Sequence, residues 1–145
     1  MTERFDVATA PGHLIRRAQQ IAVSIFADQL AAFGITPVQF AIMNALRDTP
    51  DIDQVTLAKR VAFDPATSGS VIGRLEAKGW VARQAHPSDR RRKLLVVTPQ
   101  GRLALDGMQA AVASVQTHIL SPLSPLEQTH FVDLLAKLVQ GHETP

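Results

Sequence analysis

Apolar positions recur at helical spacing along most of this chain, and the period shortens to that of strands in one region only. From Pro11 to about Ala32 two apolar stripes run side by side, Leu14, Ala18, Ile21, Ile25 and Ile15, Ala22, Phe26, with Gly34 as the stop. A helix with so wide an apolar surface must be packed on more than one side. Pro37 to about Arg47 predicts a second helix with Phe40, Met43 and Leu46 on one face. About Gln54 to Ala62 predicts a short third, with Leu57, Ala58 and Val61 inward, and Pro65 to Lys78 a fourth, stopped by Gly79. Trp80 to Gln84 and Lys93 to Val97 then read as two short strands, joined across His86-Pro87-Ser88-Asp89-Arg90-Arg91-Arg92. A fifth helix, from Pro99 to about Leu120, sets Met108, Val112, Val115 and Ile119 at coiled-coil-like spacing. After Ser121-Pro122 a sixth, from Pro125 to about Gln140, presents Phe131, Leu134, Leu135 and Leu138 before Gly141.

Four of these helices start with the same device, a capping side chain followed by proline: Thr36-Pro37, Asp64-Pro65, Thr98-Pro99 and Ser124-Pro125. Proline loses nothing at the first helical position, where its missing N–H has no partner, and the preceding oxygen accepts from the free amides. Gln39 and Glu127 complete two capping boxes. The fold class is therefore mainly α with a small β-hairpin wing.

Composition narrows the picture. The 145 residues suit one folding unit, and 46% hydrophobic with 19% charged residues is the composition of a chain that folds. There is no cysteine, which removes disulfides, thiolate metal sites and thiol-based oxidant sensing. No apolar run approaches the ~18 residues of a membrane span, and the first ten residues carry Glu3, Arg4 and Asp6 instead of a signal core, so no membrane partner and a cytoplasmic location are expected.

The net charge of +2 is unevenly spread. Lys59, Arg60, Arg74, Lys78, Arg83, Arg90, Arg91, Arg92 and Lys93 face only Asp64, Glu76 and Asp89 across that stretch, a local +6 that leaves −4 for the remainder. A charge run alone can be a solvated face, but a segregated basic block on an otherwise acidic chain is also the footprint of a phosphate partner. The order helix, short helix, helix, hairpin is the winged helix-turn-helix plan, whose third helix enters the major groove of double-stranded DNA. That helix starts at Pro65. Val71 and Leu75 suit its core side, which leaves Thr67, Ser68, Ser70 and Arg74 for base edges and phosphates. Taken alone it reads more readily as an ordinary amphipathic surface helix; Gly69 and Gly73, which weaken it, tilt the balance toward a place where another surface comes close. The hairpin tip is more specific. Arg90, Arg91, Arg92 and Lys93 crowd four cations where no apolar residue packs, and a narrow minor groove relieves their repulsion.

Asp89-Arg90-Arg91-Arg92-Lys93-Leu94-Leu95-Val96-Val97-Thr98-Pro99-Gln100-Gly101 resembles the wing and following helix start of the MarR family, an aspartate, an arginine two later, then hydrophobic-Leu-Thr-x-x-Gly, with Val97 in place of leucine. Arg74-Leu75-Glu76-Ala77-Lys78-Gly79-Trp80-Val81 looks like that family's recognition-helix exit, and Thr36-Pro37-Val38-Gln39-Phe40 resembles its second-helix entry. The likeness runs from about Gly12 to Gln140. It implies a single domain over 1–145, with helical dimerisation parts at about 11–33 and 99–140 and a winged helix-turn-helix at about 36–98. It implies a homodimer, a pseudo-palindromic operator, and an Asp89 that orients Arg91 in the minor groove. It also implies a small anionic aromatic ligand between the helical dimer interface and the winged head, with His13, Arg16, Arg17, Phe40 and Met43 as its residues. His13-Leu14-Ile15-Arg16-Arg17-Ala18-Gln19-Gln20 is similar to regulators of aromatic-acid breakdown in the nicotinate branch. Each of these residues taken alone reads more readily as exposed or acid-paired, and an architectural or protein-regulated DNA-binding module with no small-molecule ligand remains the alternative.

No enzyme is expected. His13, His86, His118, His130 and His142 form no same-helix metal pair, and there is no phosphate loop, nucleophile elbow or dinucleotide fingerprint, hence no cofactor.

Overall fold

The computed structural model describes residues 3–61 and 65–143. Six helices, α1 (Pro11–Leu30), α2 (Pro37–Asp48), α3 (Gln54–Arg60), α4 (Pro65–Ala77), α5 (Pro99–Leu120) and α6 (Pro125–Glu143), accompany three strands, β1 (Ile52–Asp53), β2 (Val81–Ala85) and β3 (Lys93–Val97). Among the described residues no single helix is long and apolar enough to cross a membrane.

The chain gathers into two compact units, Phe26–Val112 and Met1–Ile25 with Ala113–Pro145. The first is the winged head. Its sheet has the order β1-β3-β2, antiparallel throughout, with Val81 opposite Val97 and Ala85 opposite Lys93 in the hairpin, and Ile52 opposite Leu95 at the other edge. Side chains alternate across a strand, yet the neighbours Leu94 and Leu95 are both buried, so the central strand is covered on both faces. Around it lie Ile42, Met43 and Leu46 of α2, Leu57 and Ala58 of α3, and Ile72 and Leu75 of α4. Each large side chain enclosed in this way contributes roughly 1.5–3 kcal/mol. Phe26, Leu30, Leu105 and Met108 are also buried in the head, so the end of α1 and the start of α5, expected in the dimerisation part, belong to it.

Local chemistry explains the boundaries. Thr36 and Gln39 form the expected capping box, with Gln39 N donating to Thr36 Oγ1 at 3.1 Å and Thr36 N to Gln39 Oε1 at 3.2 Å. Gly34 (φ 63°) and Gly79 (φ 78°) sit in the left-handed region behind the first and fourth helices, as their positions in the sequence require. Thr98 carries the Thr-x-x-Gly motif. Its hydroxyl donates to Gly79 O at 2.6 Å and accepts from Gly101 N at 3.0 Å, while its amide donates to Trp80 O at 3.0 Å. One residue thus stitches the exit of α4 to the start of α5. Asp64, the fourth proposed cap, lies outside the described residues.

Several boundaries differ from expectation. The first strand of the hairpin is shifted by one residue, Val81–Ala85 against Trp80–Gln84, and α2 ends one residue later, at Asp48. The first helix gives way at Leu30 to a 3-10 turn, Ala31–Phe33. The third ends at Arg60 and the fourth at Ala77. The sixth runs through Gly141 to Glu143; a helix accommodates an interior glycine for about 1 kcal/mol, and Gly141 is not among the positive-φ glycines. Two elements were unforeseen, a 3-10 turn at Val7–Thr9 capped by Asp6 and the two-residue β1, too short for any alternation to announce it.

In the second unit Val115 is the fully enclosed apolar side chain among the described residues. The turn into α6 is well built. Ser124 and Glu127 form a capping box, Glu127 N donating to Ser124 Oγ at 3.3 Å and Ser124 N to Glu127 Oε1 at 2.9 Å. The Ser124 amide, then its hydroxyl, holds the Glu127 carboxyl below its ordinary range. Gln128 Nε2 ties down Leu120 O and Leu123 O. Beyond that turn α6 is exposed throughout, with Leu126, Phe131, Leu134, Leu135 and Leu138 all in solvent.

Candidate nucleic-acid interface

The fourth helix presents two faces. Ser68, Ile72 and Leu75, at i, i+4 and i+7, are fully buried, while Ala66, Thr67, Ser70, Gly73, Arg74 and Ala77 are exposed. This corrects the expected division. Ser68 belongs to the inward face and Ile72 replaces Val71 as the main anchor, because a 3.6-residue period carried back from Leu75 passes through 72 and 68. Ser68 is fully buried, so its hydroxyl cannot reach a groove floor. Thr67, Ser70 and Arg74 remain on the outward face. The two glycines also separate. A Cβ at Gly69 would stand 2.9 Å from Gln54 Nε2, which explains it by contact with α3, whereas Gly73 has nothing within 4 Å.

Several of the nine basic residues are already engaged inside the head. Arg83 Nε donates to Glu76 Oε1 at 2.8 Å and its Nη1 to Gln54 Oε1 at 3.2 Å. Lys78 donates to Gly34 O and lies 4.6 Å from the centre of the Trp80 ring. Arg60 donates to Thr49 Oγ1, and Arg92 Nη2 to Asp53 Oδ2 at 2.6 Å. The ion pairs among the described residues are Arg47–Asp48, Arg83–Glu76 and Arg92–Asp53. Arg60 and Lys78 meet neutral oxygens, so among the described residues their charges, like those of Lys59, Arg74, Arg90, Arg91 and Lys93, have no acidic partner. Arg74, on the outward face of α4, and Arg90, Arg91 and Lys93, in the hairpin, are the ones on the two DNA-reading elements.

That tip is ordered by its own backbone. His86 N donates to Arg92 O at 3.2 Å and Arg92 N to Asp89 O at 3.1 Å. Asp89 Oδ1 accepts from the amide of Arg91 at 3.0 Å, so the carboxylate orients Arg91 through its main chain. His86 Nδ1 accepts from the amides of Ser88 and Asp89, both at 3.1 Å, which requires a bare lone pair there and puts the neutral ring's proton on Nε2. Sequence reasoning missed His86 as a residue of this site. The signal was present in His86-Pro87-Ser88-Asp89, an acceptor side chain two and three residues before amides it can cap.

Asp53 is the second residue missed. Its Oδ1 accepts from Thr56 N at 2.8 Å, capping α3, and its Oδ2 takes Arg92. The Thr56 amide and hydroxyl, followed by the Arg92 guanidinium, lower its pKa from 3.8 to about 2. A carboxyl depressed on folding stabilises the head fully above the unfolded value, near 4, and that contribution disappears as pH falls toward 2. Urea unfolding at pH 6 is expected to place Asp53→Asn about 1–2 kcal/mol below the parent, with Arg92 half-exposed and partly screened, and the gap is expected to close by pH 2. A gap independent of pH would contradict a carboxyl held down by Thr56 and Arg92.

On the first helix His13, Arg16 and Arg17 occupy one face at i, i+3 and i+4. Arg16 Nη2 lies 3.1 Å from His13 Nδ1, and Arg17 Nη1 donates to Gln20 Oε1. In the head, Phe40 is half-buried with its ring 6.1 Å from that of Phe26. Met43 is fully enclosed in the core, which corrects its expected place among the residues open to a ligand. Among the described residues no three histidine or acidic side chains gather closely enough to hold a metal ion.

Comparison with known proteins agrees with this geometry. A profile described as the MarR family matches residues 35–93, from the turn before α2 to the first residue of β3. The transcriptional repressor NicR of Pseudomonas putida is 32% identical over 96% of this chain and 88% of its own length. Among solved structures, BpsR of Bordetella bronchiseptica, whose DNA binding is regulated by 6-hydroxynicotinic acid, superposes with a TM-score of 0.88 at 34% identity over 94% of this chain and 98% of its own. PcaV of Streptomyces coelicolor, solved with its natural ligand, gives 0.86 at 33% identity over 96% and 98%. The relatives extend the likeness from the head to nearly the whole chain. With the helix order, the wing and the Thr98–Gly101 junction already in place, the chain belongs to the MarR family of winged-helix transcriptional regulators.

Proposed function

We propose that this chain is a dimeric repressor that leaves a pseudo-palindromic operator when a small aromatic carboxylate of the hydroxynicotinate type binds it. The observation that carries the ligand reading is the His13, Arg16 and Arg17 face of α1. Arg17 offers a carboxylate two parallel N–H donors, and His13 offers a ring substituent a hydrogen-bond partner one turn earlier. The regulation of BpsR by 6-hydroxynicotinic acid supports an acid of that class. Dimerisation is supported by α6, whose exposed Phe131, Leu134, Leu135 and Leu138 make one apolar face too large for a lone surface helix. A two-fold dimer reads half-sites about 10 base pairs apart or a multiple of that.

Ligand and operator must then oppose each other, each weakening the other by the same factor. Titration calorimetry of the full chain with 6-hydroxynicotinate and 4-hydroxybenzoate, with and without operator duplex, tests this. Arg17→Ala is expected to weaken acid binding about 10- to 100-fold, the loss of a charged hydrogen-bonded pair, with basal DNA affinity unchanged. The reading fails if neither acid binds, or if Arg17→Ala and His13→Ala leave acid affinity and acid-induced release of DNA as they were.

A further inference from the structure

The Asp53 carboxylate has two partners, one on α3 and the other in the wing. Oδ1 caps α3, the first helix of the helix-turn-helix, through Thr56 N at 2.8 Å. Oδ2 holds the guanidinium of Arg92, at the base of the wing tip, at 2.6 Å. Asp53 also pairs with Leu94 of β3, so β1, the strand that carries the carboxylate, is itself an edge of the wing's sheet. The contact is sheltered on one side, with Asp53 about one-fifth exposed and Arg92 half-exposed. Arg92 is the last residue of a tip whose neighbours Arg90 and Arg91 have no ion pair.

We propose that Asp53 is a positioning residue for DNA recognition, a clamp that takes Arg92 out of the set of DNA contacts and uses it to hold the wing at a set position relative to α3. The inference needs only that the winged head binds DNA, and is independent of any acid ligand. A wing held in place offers Arg90 and Arg91 to the minor groove at one distance from the major-groove helix. Such a wing discriminates among duplexes by groove width and spacing. A loose one adds only mobile cations, which bind any phosphate backbone. The clamp therefore acts on the ratio of specific to non-specific affinity more than on affinity itself. Asp53→Asn separates the two duties of the side chain, because asparagine caps a helix about as well as aspartate and cannot neutralise a guanidinium.

The test measures binding by fluorescence anisotropy, over a range of salt concentrations, to a pseudo-palindromic duplex enriched from a random library by the parent protein, and to poly(dI-dC) as non-specific DNA. Asp53→Asn and Arg92→Met are each expected to lower the specific to non-specific ratio at least about 10-fold, and the double variant no further, because both remove one link. Arg92→Lys, which keeps a cation for Asp53, is expected to stay within about threefold of the parent. Arg92→Met is expected to leave the slope of log affinity against log salt on the selected duplex unchanged. Asp53→Asn, by freeing Arg92, steepens it on poly(dI-dC) by up to about 0.9 per subunit. The proposal is overturned if Asp53→Asn stays within twofold of the parent ratio, or if the single losses multiply in the double variant. It is also overturned if Arg92→Met flattens the operator slope by about 0.9 per subunit, since Arg92 would then be a phosphate contact.

Discussion

Replacing Arg91 by alanine is expected to lower operator affinity about 10²- to 10⁴-fold in the proposed dimer, against less than about threefold for Arg102→Ala. A good side-chain contact in a groove is worth about 1–3 kcal/mol, and a two-fold assembly loses it twice. Both arginines are exposed, so exposure does not distinguish them. Placement does. Arg91 stands at the hairpin tip with its amide held by Asp89 Oδ1, on a loop closed by the His86 and Arg92 backbone bonds, so its side chain starts from an ordered base. Arg102 lies in the first turn of α5, outside the basic block. Anisotropy titrations of both variants over 50–200 mM salt distinguish a groove contact from general attraction. The parent's affinity should fall steeply with salt because each phosphate contact releases counterions. Equal losses in the two variants, or a parent affinity insensitive to salt, would remove the wing from the interface.

The largest effect on stability is expected at Gly101. A Cβ added there would stand 2.2 Å from Trp80 O and 2.9 Å from Val97 Cγ1. The first of these is backbone, which cannot swing aside as the end of a side chain can. It is also the carbonyl that accepts from Thr98 N. Making room would pull on the whole Thr98 junction between α4, β3 and α5. Overpacking of this kind costs about 1–3 kcal/mol, and Gly101→Ala should reach the upper part of that range, a fall of roughly 5–10 °C in melting temperature for a chain of this size. Gly107, one and a half turns further along α5, has nothing within 4 Å. Gly107→Ala should raise stability by up to about 1 kcal/mol through helix propensity. Calorimetric scans of the two variants at one protein concentration decide it. If both alanines act in the same direction, close packing is not the reason for glycine at 101.

How much of this protein can be read from its residues differs from element to element. Where one residue type has a single strong local preference, the chain states its structure outright. The proline-preceded helix starts at Pro37, Pro99 and Pro125, the left-handed stops at Gly34 and Gly79 and the third strand Lys93–Val97 all stand where the residues place them. These are short-range decisions, made by a missing N–H, a missing Cβ or a side-chain oxygen within three residues of the amide it accepts. The basic block was legible for a similar reason, since charge needs no geometry to be counted.

What the sequence by itself could not decide is which side chain meets which across the fold. Ser68 looks outward by its polarity, but α4 is rotated by the packing of Ile72 and Leu75, and the helical period takes Ser68 inward with them. Met43 looks available by its type and is enclosed by the core. The nine cations look alike as a list. Only tertiary contacts over 7 to 44 residues of sequence separate Arg83, Lys78 and Arg92, held by Glu76, Gly34 and Asp53, from Arg74, Arg90 and Arg91. The two-residue β1 exists only because β3 is there to pair with it, and it brings Asp53 to the wing. Local propensity is a property of a few consecutive residues, whereas the partner of a charge is set by the rotation and crossing of whole elements, which depend on how the entire core packs.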